Sequence, residues 1–165
     1  MIKIVENIGE VDELKRKLET EISLWYPMWV DNDKHPLNTD ISFIFVRTVE
    51  DRYILPHKHT DALSLSKSLI ESVLNTAGEK WVFQKKKLLQ SLNVREGLND
   101  IDTAHFLKSG DPIDHTAPLQ HLVAPYLHKG YKEDVIQSIP ILKLAEAIEG
   151  ELKKHRREKT KTYNW

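Results

Sequence analysis

The chain has 165 residues, the size of one ordinary domain, and 40% apolar against 30% charged residues is a globular balance rather than a disordered one. Lys plus Arg number 24 and Asp plus Glu 25, so the formal net charge of −1 excludes a generally basic nucleic-acid binder while leaving room for a local basic face. Cysteine is absent, which excludes disulfides, thiolate zinc sites and cysteine nucleophiles. No apolar run is long enough to span a bilayer, and Met1 leads into Ile-Lys-Ile-Val rather than a signal peptide, so no membrane partner and a cytoplasmic compartment are expected.

In chain order, Ile2 to Val5 is a short apolar run that suits an edge strand. Val11, Leu14 and Leu18 recur at helical spacing and predict an amphipathic helix. Ile22 to Val30 is aromatic and continuously apolar, as a buried strand is, and the polar stretch from Asp31 to Asp40 reads as a loop. Ile41 to Val46 (ISFIFV) is the clearest strand, and the turn at Glu50-Asp51-Arg52 leads into Tyr53-Ile54-Leu55, an antiparallel partner ending at Pro56. Ser66 is placed to cap a helix reaching Leu74. Trp81-Val82-Phe83 reads as a strand, and Lys86 to Leu92 as a helix with Leu88, Leu89 and Leu92 inward. Ile101 to Leu107 fits either element, Gly110 to Pro118 is a loop, and Leu119 to Leu127 has helical spacing. A last helix is expected from about Ile139 to Arg157, capped by Ser138, with Leu142, Ala145, Ile148 and Leu152 buried. The order implies an α/β fold, a mixed β-sheet with helices packed on it.

Eight histidines are the compositional oddity, and His57 and His59 invite a metal reading. No helical His-x3-His pair or carboxylate pattern completes a ligand set, so polar loop histidines at a strand end are the plainer reading. Lys85, Lys86 and Lys87 are candidate phosphate contacts, or else a solvated helix face. Asp102 suits a helix N-cap, and Trp25, Trp29 and Trp81 suit the core. The tail, rich in Lys and Arg from Lys153 to Lys161, is either a nucleic-acid contact or a helix end favoured by cations, and Trp165 suits a partner contact.

Several phrases, in order, resemble the 3′–5′ exonuclease domain of family A DNA polymerases. They are Met28-Trp29-Val30-Asp31-Asn32-Asp33, Tyr53-Ile54-Leu55-Pro56-His57-Lys58-His59, Glu79-Lys80-Trp81-Val82-Phe83-Gln84-Lys85-Lys86-Lys87-Leu88, Asp102-Thr103-Ala104-His105-Phe106-Leu107, and the stretch from Leu119 to Leu127. The resemblance runs from Ile2 to about Lys154 and implies a ribonuclease-H-like domain over 1–157 with a basic tail over 158–165.

That family uses four carboxylates to hold two divalent metals, one of which delivers a hydroxide to the terminal phosphodiester. Carried over by resemblance, Asp31 matches the first aspartate and Asp33 stands where a glutamate is expected. Gln84 stands for an asparagine, Leu88 falls where the next aspartate should be, and Gln137 falls at the last one, with Tyr131 and Asp134 a near miss in spacing. Leucine cannot hold a hard cation and glutamine does so weakly, so the resemblance implies no cofactor, or weak Mg2+ binding by Asp31 and Asp33. It also implies a catalytically inactive stand-alone domain of DNA replication that binds single-stranded DNA or a DNA polymerase chain, as in a phage or a split polymerase system. Two alternatives stay open: an active nuclease using Asp31, Asp33, Asp102 and Asp134, and a pure protein-interaction module.

Overall fold

The computed structural model describes residues 1–30, 39–94, 97–102, 135–150 and 152. Its elements are β1 (Ile2–Ile4), α1 (Ile8–Leu18), β2 (Ser23–Trp29), β3 (Ile41–Arg47), β4 (Arg52–Pro56), α2 (Lys67–Leu74), β5 (Lys80–Val82), α3 (Lys85–Ser91) and β6 (Leu98–Asp100). A 3-10 turn (Val135–Ser138) follows, and then helix α4 over residues 141–150. The strands form one sheet in the order β1-β4-β3-β2-β5-β6. β3 pairs antiparallel with β2 and β4, whereas β1 is parallel to β4, β5 to β2 and β6 to β5. Five strands therefore point one way and β3 alone runs against them.

The local causes are readable. Asn7 caps α1 by accepting from the Glu10 amide at 2.9 Å, and Ser66 caps α2 by accepting from the Leu69 amide at 3.2 Å. β2 is buried along its whole length, as its continuous apolar run requires. It carries Pro27 in mid-sheet at no cost to the ladder. Trp25 accepts from the Phe83 amide on the β5 side, so Pro27, two residues on, turns its amide-less nitrogen to the same side, beyond the last β5 residue. Gly78 is glycine by necessity, because a Cβ there would lie 1.7 Å from the Leu18 carbonyl oxygen at the end of α1.

The alternation of strand side chains divides the core between the two faces of the sheet. On one face Trp25, Trp29, Ile44, Val46 and Leu55 pack against α1, α2 and Leu88 of α3. On the other, Leu24, Tyr26, Met28, Phe43, Phe45 and Ile54 pack under Ile136, Ile139, Leu144, Ala145 and Ile148.

Some expectations need correction. Leu89 and Leu142, expected to point inward, are 41% and 45% exposed. α3 is only seven residues long and buries Leu88. α4 begins at residue 141, so its buried stripe runs through Ile141, Leu144, Ala145, Ile148 and Leu152, and Leu142 falls on the outer side. Trp81, expected in the core, is half-buried, with its indole N–H donating to Glu79 at 3.2 Å. Ser138 lies inside the 3-10 turn, and the first α4 amide, that of Ile141, donates instead to Oδ2 of Asp61 at 2.9 Å. β6 has no counterpart in the sequence reading. The expected loop from Gly110 to Pro118, the helix from Leu119 to Leu127 and the basic tail lie outside the described residues.

Candidate functional site

The strand directions bring the carboxyl ends of β1, β2, β4, β5 and β6 to one end of the sheet, together with the start of β3. In open α/β sheets that end is where ligands bind. Several of the described residues singled out from the sequence follow strands at that end. Asp31 and Asp33 follow β2 directly in sequence, and both lie outside the described residues. Gln84 and the three lysines follow β5, Asp102 follows β6, and His57 to Asp61 follow β4.

Gln84 is the one non-glycine residue with positive φ among the described residues, at φ 52° and ψ 44°. Two contacts hold it in this left-handed conformation. Its amide donates to Oδ1 of Asp102 at 3.1 Å, and its side-chain carbonyl accepts from the buried Trp29 indole N–H at 2.9 Å. Asp102 therefore braces the residue ahead of α3 and is not the N-cap of its own segment that the sequence reading expected, since residues 101 and 102 are already helical.

Lys85, Lys86 and Lys87 occupy the first turn of α3, where the positive end of the helix dipole disfavours cations. Lys86 is exposed and Lys85 half-buried, while the Lys87 ammonium sits 4.5 Å from the centre of the Trp29 ring in a cation–π contact. Leu88 is fully buried in the apolar cluster on the α1–α2 face. Gln137 ties three segments together. Its side-chain carbonyl accepts from the Ser42 hydroxyl at 3.0 Å, its amide donates to the Lys58 carbonyl, and its own backbone carbonyl accepts from the Thr60 hydroxyl at 2.9 Å.

The two histidines are buried rather than loop-exposed. His57 Nδ1 meets the Leu65 carbonyl at 2.7 Å, while His59 Nε2 meets the Ile136 carbonyl at 3.1 Å and its Nδ1 accepts from the Asp61 amide at 3.1 Å. Burial lowers the His59 pKa from its ordinary value, partly opposed by the Ile136 carbonyl and the Asp61 charge. Sequence reasoning missed this network. Its only trace there was the strand-end phrase His57-Lys58-His59-Thr60-Asp61.

Among the described residues no group of three or more His, Asp or Glu side chains converges as a metal site needs. Leu88 offers no donor, and Gln84, Gln137 and Asp102 are committed to protein partners. The described residues do not fit a four-carboxylate, two-metal centre.

No protein-family model and no curated protein matches the chain. Solved structures do match. The catalytic core of RRP6 from Trypanosoma brucei is 12% identical over 89% of this chain and 42% of its own length, with a TM-score of 0.56. Pol1 from M. smegmatis, solved in complex with DNA primer-template and dNTP, is 18% identical over 93% of this chain and 28% of its own, with a TM-score of 0.52. The chain thus spans less than half the length of either. At such identities the likeness speaks for the fold. The chain has the ribonuclease-H-like α/β fold, a mixed six-stranded sheet flanked by helices.

Proposed function

We propose that the chain is an exonuclease-like domain that binds single-stranded nucleic acid at the carboxyl end of its parallel strands and cleaves it poorly or not at all. The observation that carries this reading is Leu88. It lies where the resemblance expects a metal-binding aspartate, and it is wholly enclosed among apolar side chains. Gln137, at the position of another expected carboxylate, is engaged with Ser42 and Lys58. What remains of the ligand set is Asp31 and Asp33, enough for weak Mg2+ binding and too few to clamp two metals across a phosphodiester. Removing carboxylates from a cleft also lessens its repulsion of a polyanion, so binding outlives catalysis. The setting fits DNA replication, with single-stranded DNA or a DNA polymerase chain as the partner.

The test is degradation of labelled single-stranded DNA and RNA with Mg2+ or Mn2+, using Asp31→Ala as control. The expected outcome is a rate at least about 10³-fold below that of a competent nuclease, since each 1.36 kcal/mol of lost transition-state stabilisation costs about tenfold. Metal-dependent degradation that Asp31→Ala abolishes would instead establish the active nuclease built on Asp31, Asp33, Asp102 and Asp134.

A further inference from the structure

Residues 57–61, leaving β4, and residues 136–141, entering α4, are fastened side by side. Thr60 donates to the Gln137 carbonyl at 2.9 Å, Gln137 donates to the Lys58 carbonyl, and Asp61 accepts the first α4 amide at 2.9 Å. His59 stands at the centre of this seam, 4% exposed, with its ring edge-on to Phe43 at 6.0 Å. Its two nitrogens do different work. Nε2 reaches the Ile136 carbonyl, which can only accept, so Nε2 carries the proton. Nδ1 faces the Asp61 amide, which can only donate, so Nδ1 must be bare. These two contacts together fit the neutral ring.

We infer that His59 is a proton-operated latch: its neutral ring holds residues 136–141 to the β4 exit, and protonation releases that seam and the start of α4. On protonation Nδ1 becomes a donor aimed at another donor. The Asp61 amide then loses its acceptor, and the loop that carries the capping Asp61 carboxylate loses its anchor. The groups around the ring do not rescue it. On its own loop the Asp61 carboxylate favours the charged ring, but that carboxylate is committed to Ile141, His57 is turned to the Leu65 carbonyl, and Lys58 is exposed and like-charged. Among the described groups, the ring meets Phe43 from β3 and the carbonyls of Ile136 and Ile139 from residues 136–141. Burial outweighs these attractions and holds the pKa below its ordinary value of 6.5. The folded state therefore binds fewer protons than the unfolded one. The contribution of the neutral ring is complete above 6.5 and declines as pH falls below it. Acidification would thus loosen one wall of the sheet end described above, whatever that end binds.

Amide hydrogen exchange, corrected for its intrinsic pH dependence, tests this on the whole chain. Between about pH 7.5 and about pH 5, protection of the Ile141 and Leu144 amides should fall roughly fivefold, the factor one hydrogen bond is worth. The Leu14 and Leu18 amides of α1 should hold steady, and in His59→Gln, whose side chain does not titrate, the pH response at α4 should vanish. Unchanged α4 protection, loss in α1 to the same extent, or a response that persists in His59→Gln overturns the latch. If His59→Gln does not fold, an NMR titration of the His59 ring in the unaltered protein decides: a midpoint below 6.5 supports the latch and one at or above it refutes it.

Discussion

Gln84 and Lys80 each hold a position that their residue type alone would not forecast, whereas Leu88 points inward as its spacing predicted. Leu88 is the centre of α3's contribution to the core, fully buried against the cluster that includes Trp29 and Leu92. Truncation to alanine removes that packing and leaves a cavity, so Leu88→Ala should cost about 3 kcal/mol in urea unfolding. A loss under about 1 kcal/mol would show that the site collapses or that α3 is loosely docked. Lys80 is 1% exposed, and its ammonium donates to the carbonyls of Thr76 and, at 2.8 Å, Gly78 just past α2. Carbonyl dipoles satisfy its protons but do not offset its desolvation, which lowers its pKa to about 8. The unfolded chain keeps this lysine charged to its ordinary 10.5, so between about 8 and 10.5 the unfolded state binds more protons and stability rises with pH. Measured as the difference between the unaltered chain and Lys80→Met, that rise should be on the order of 3 kcal/mol. A flat difference would mean that the ammonium is hydrated in the folded state.

The elements divide by how local their causes are. β2, β3, β4 and the cap of α2 were legible, since alternation, a tight turn and a Ser three residues ahead of an amide all act within a few residues. The ends of α4 were not, because its cap comes from Asp61, about 80 positions away in sequence. Ser138 offered the expected chemistry at the expected spacing, but the chain turns through a 3-10 segment there and Pro140 delays the helix to residue 141. β6 was invisible for a similar reason: three residues, Leu98–Asp100, carry almost no periodicity and become a strand only because β5 offers an edge. The candidate site was half legible. Its place at the strand ends followed from the motif order, whereas the roles of Gln84, Gln137 and His59 depend on partners 55, 95 and 77 positions away. Asp61→Ala gives the α4 claim a measure. It should lower stability by about 1 kcal/mol, the usual worth of a capping carboxylate, whereas Ser138→Ala should change it by no more than a few tenths. The reverse ranking would restore Ser138 as the cap.

At the scale of the whole molecule the question is where a polyanion could be held by a chain of net charge −1. Long-range attraction is weak, so binding has to come from a local concentration of cations. One such concentration is Lys85, Lys86 and Lys87, in the first turn of α3 and at the end of the sheet proposed above to bind nucleic acid. The arrangement is unfavourable in isolation, because three like charges share one turn at the positive end of a helix. An approaching phosphate would relieve both terms. Lys87 is tethered over Trp29 and loses little further freedom on binding, and Lys86 is exposed and ready to reach out. Neutralising counterions on a single strand gives a salt slope of about −0.7 for each phosphate contact, so three lysines should account for a slope of about 2 in log–log units. Replacing all three with glutamine keeps a polar side chain one atom shorter while removing the charge. The triple variant should bind labelled single-stranded DNA at least about tenfold more weakly at low salt and lose about 2 units of slope. Its urea midpoint should stay level or rise, since the repulsion within the first turn is gone. If affinity and slope are unchanged while the fold is intact, the lysines are a solvated face, and the interaction surface must be sought elsewhere on the chain.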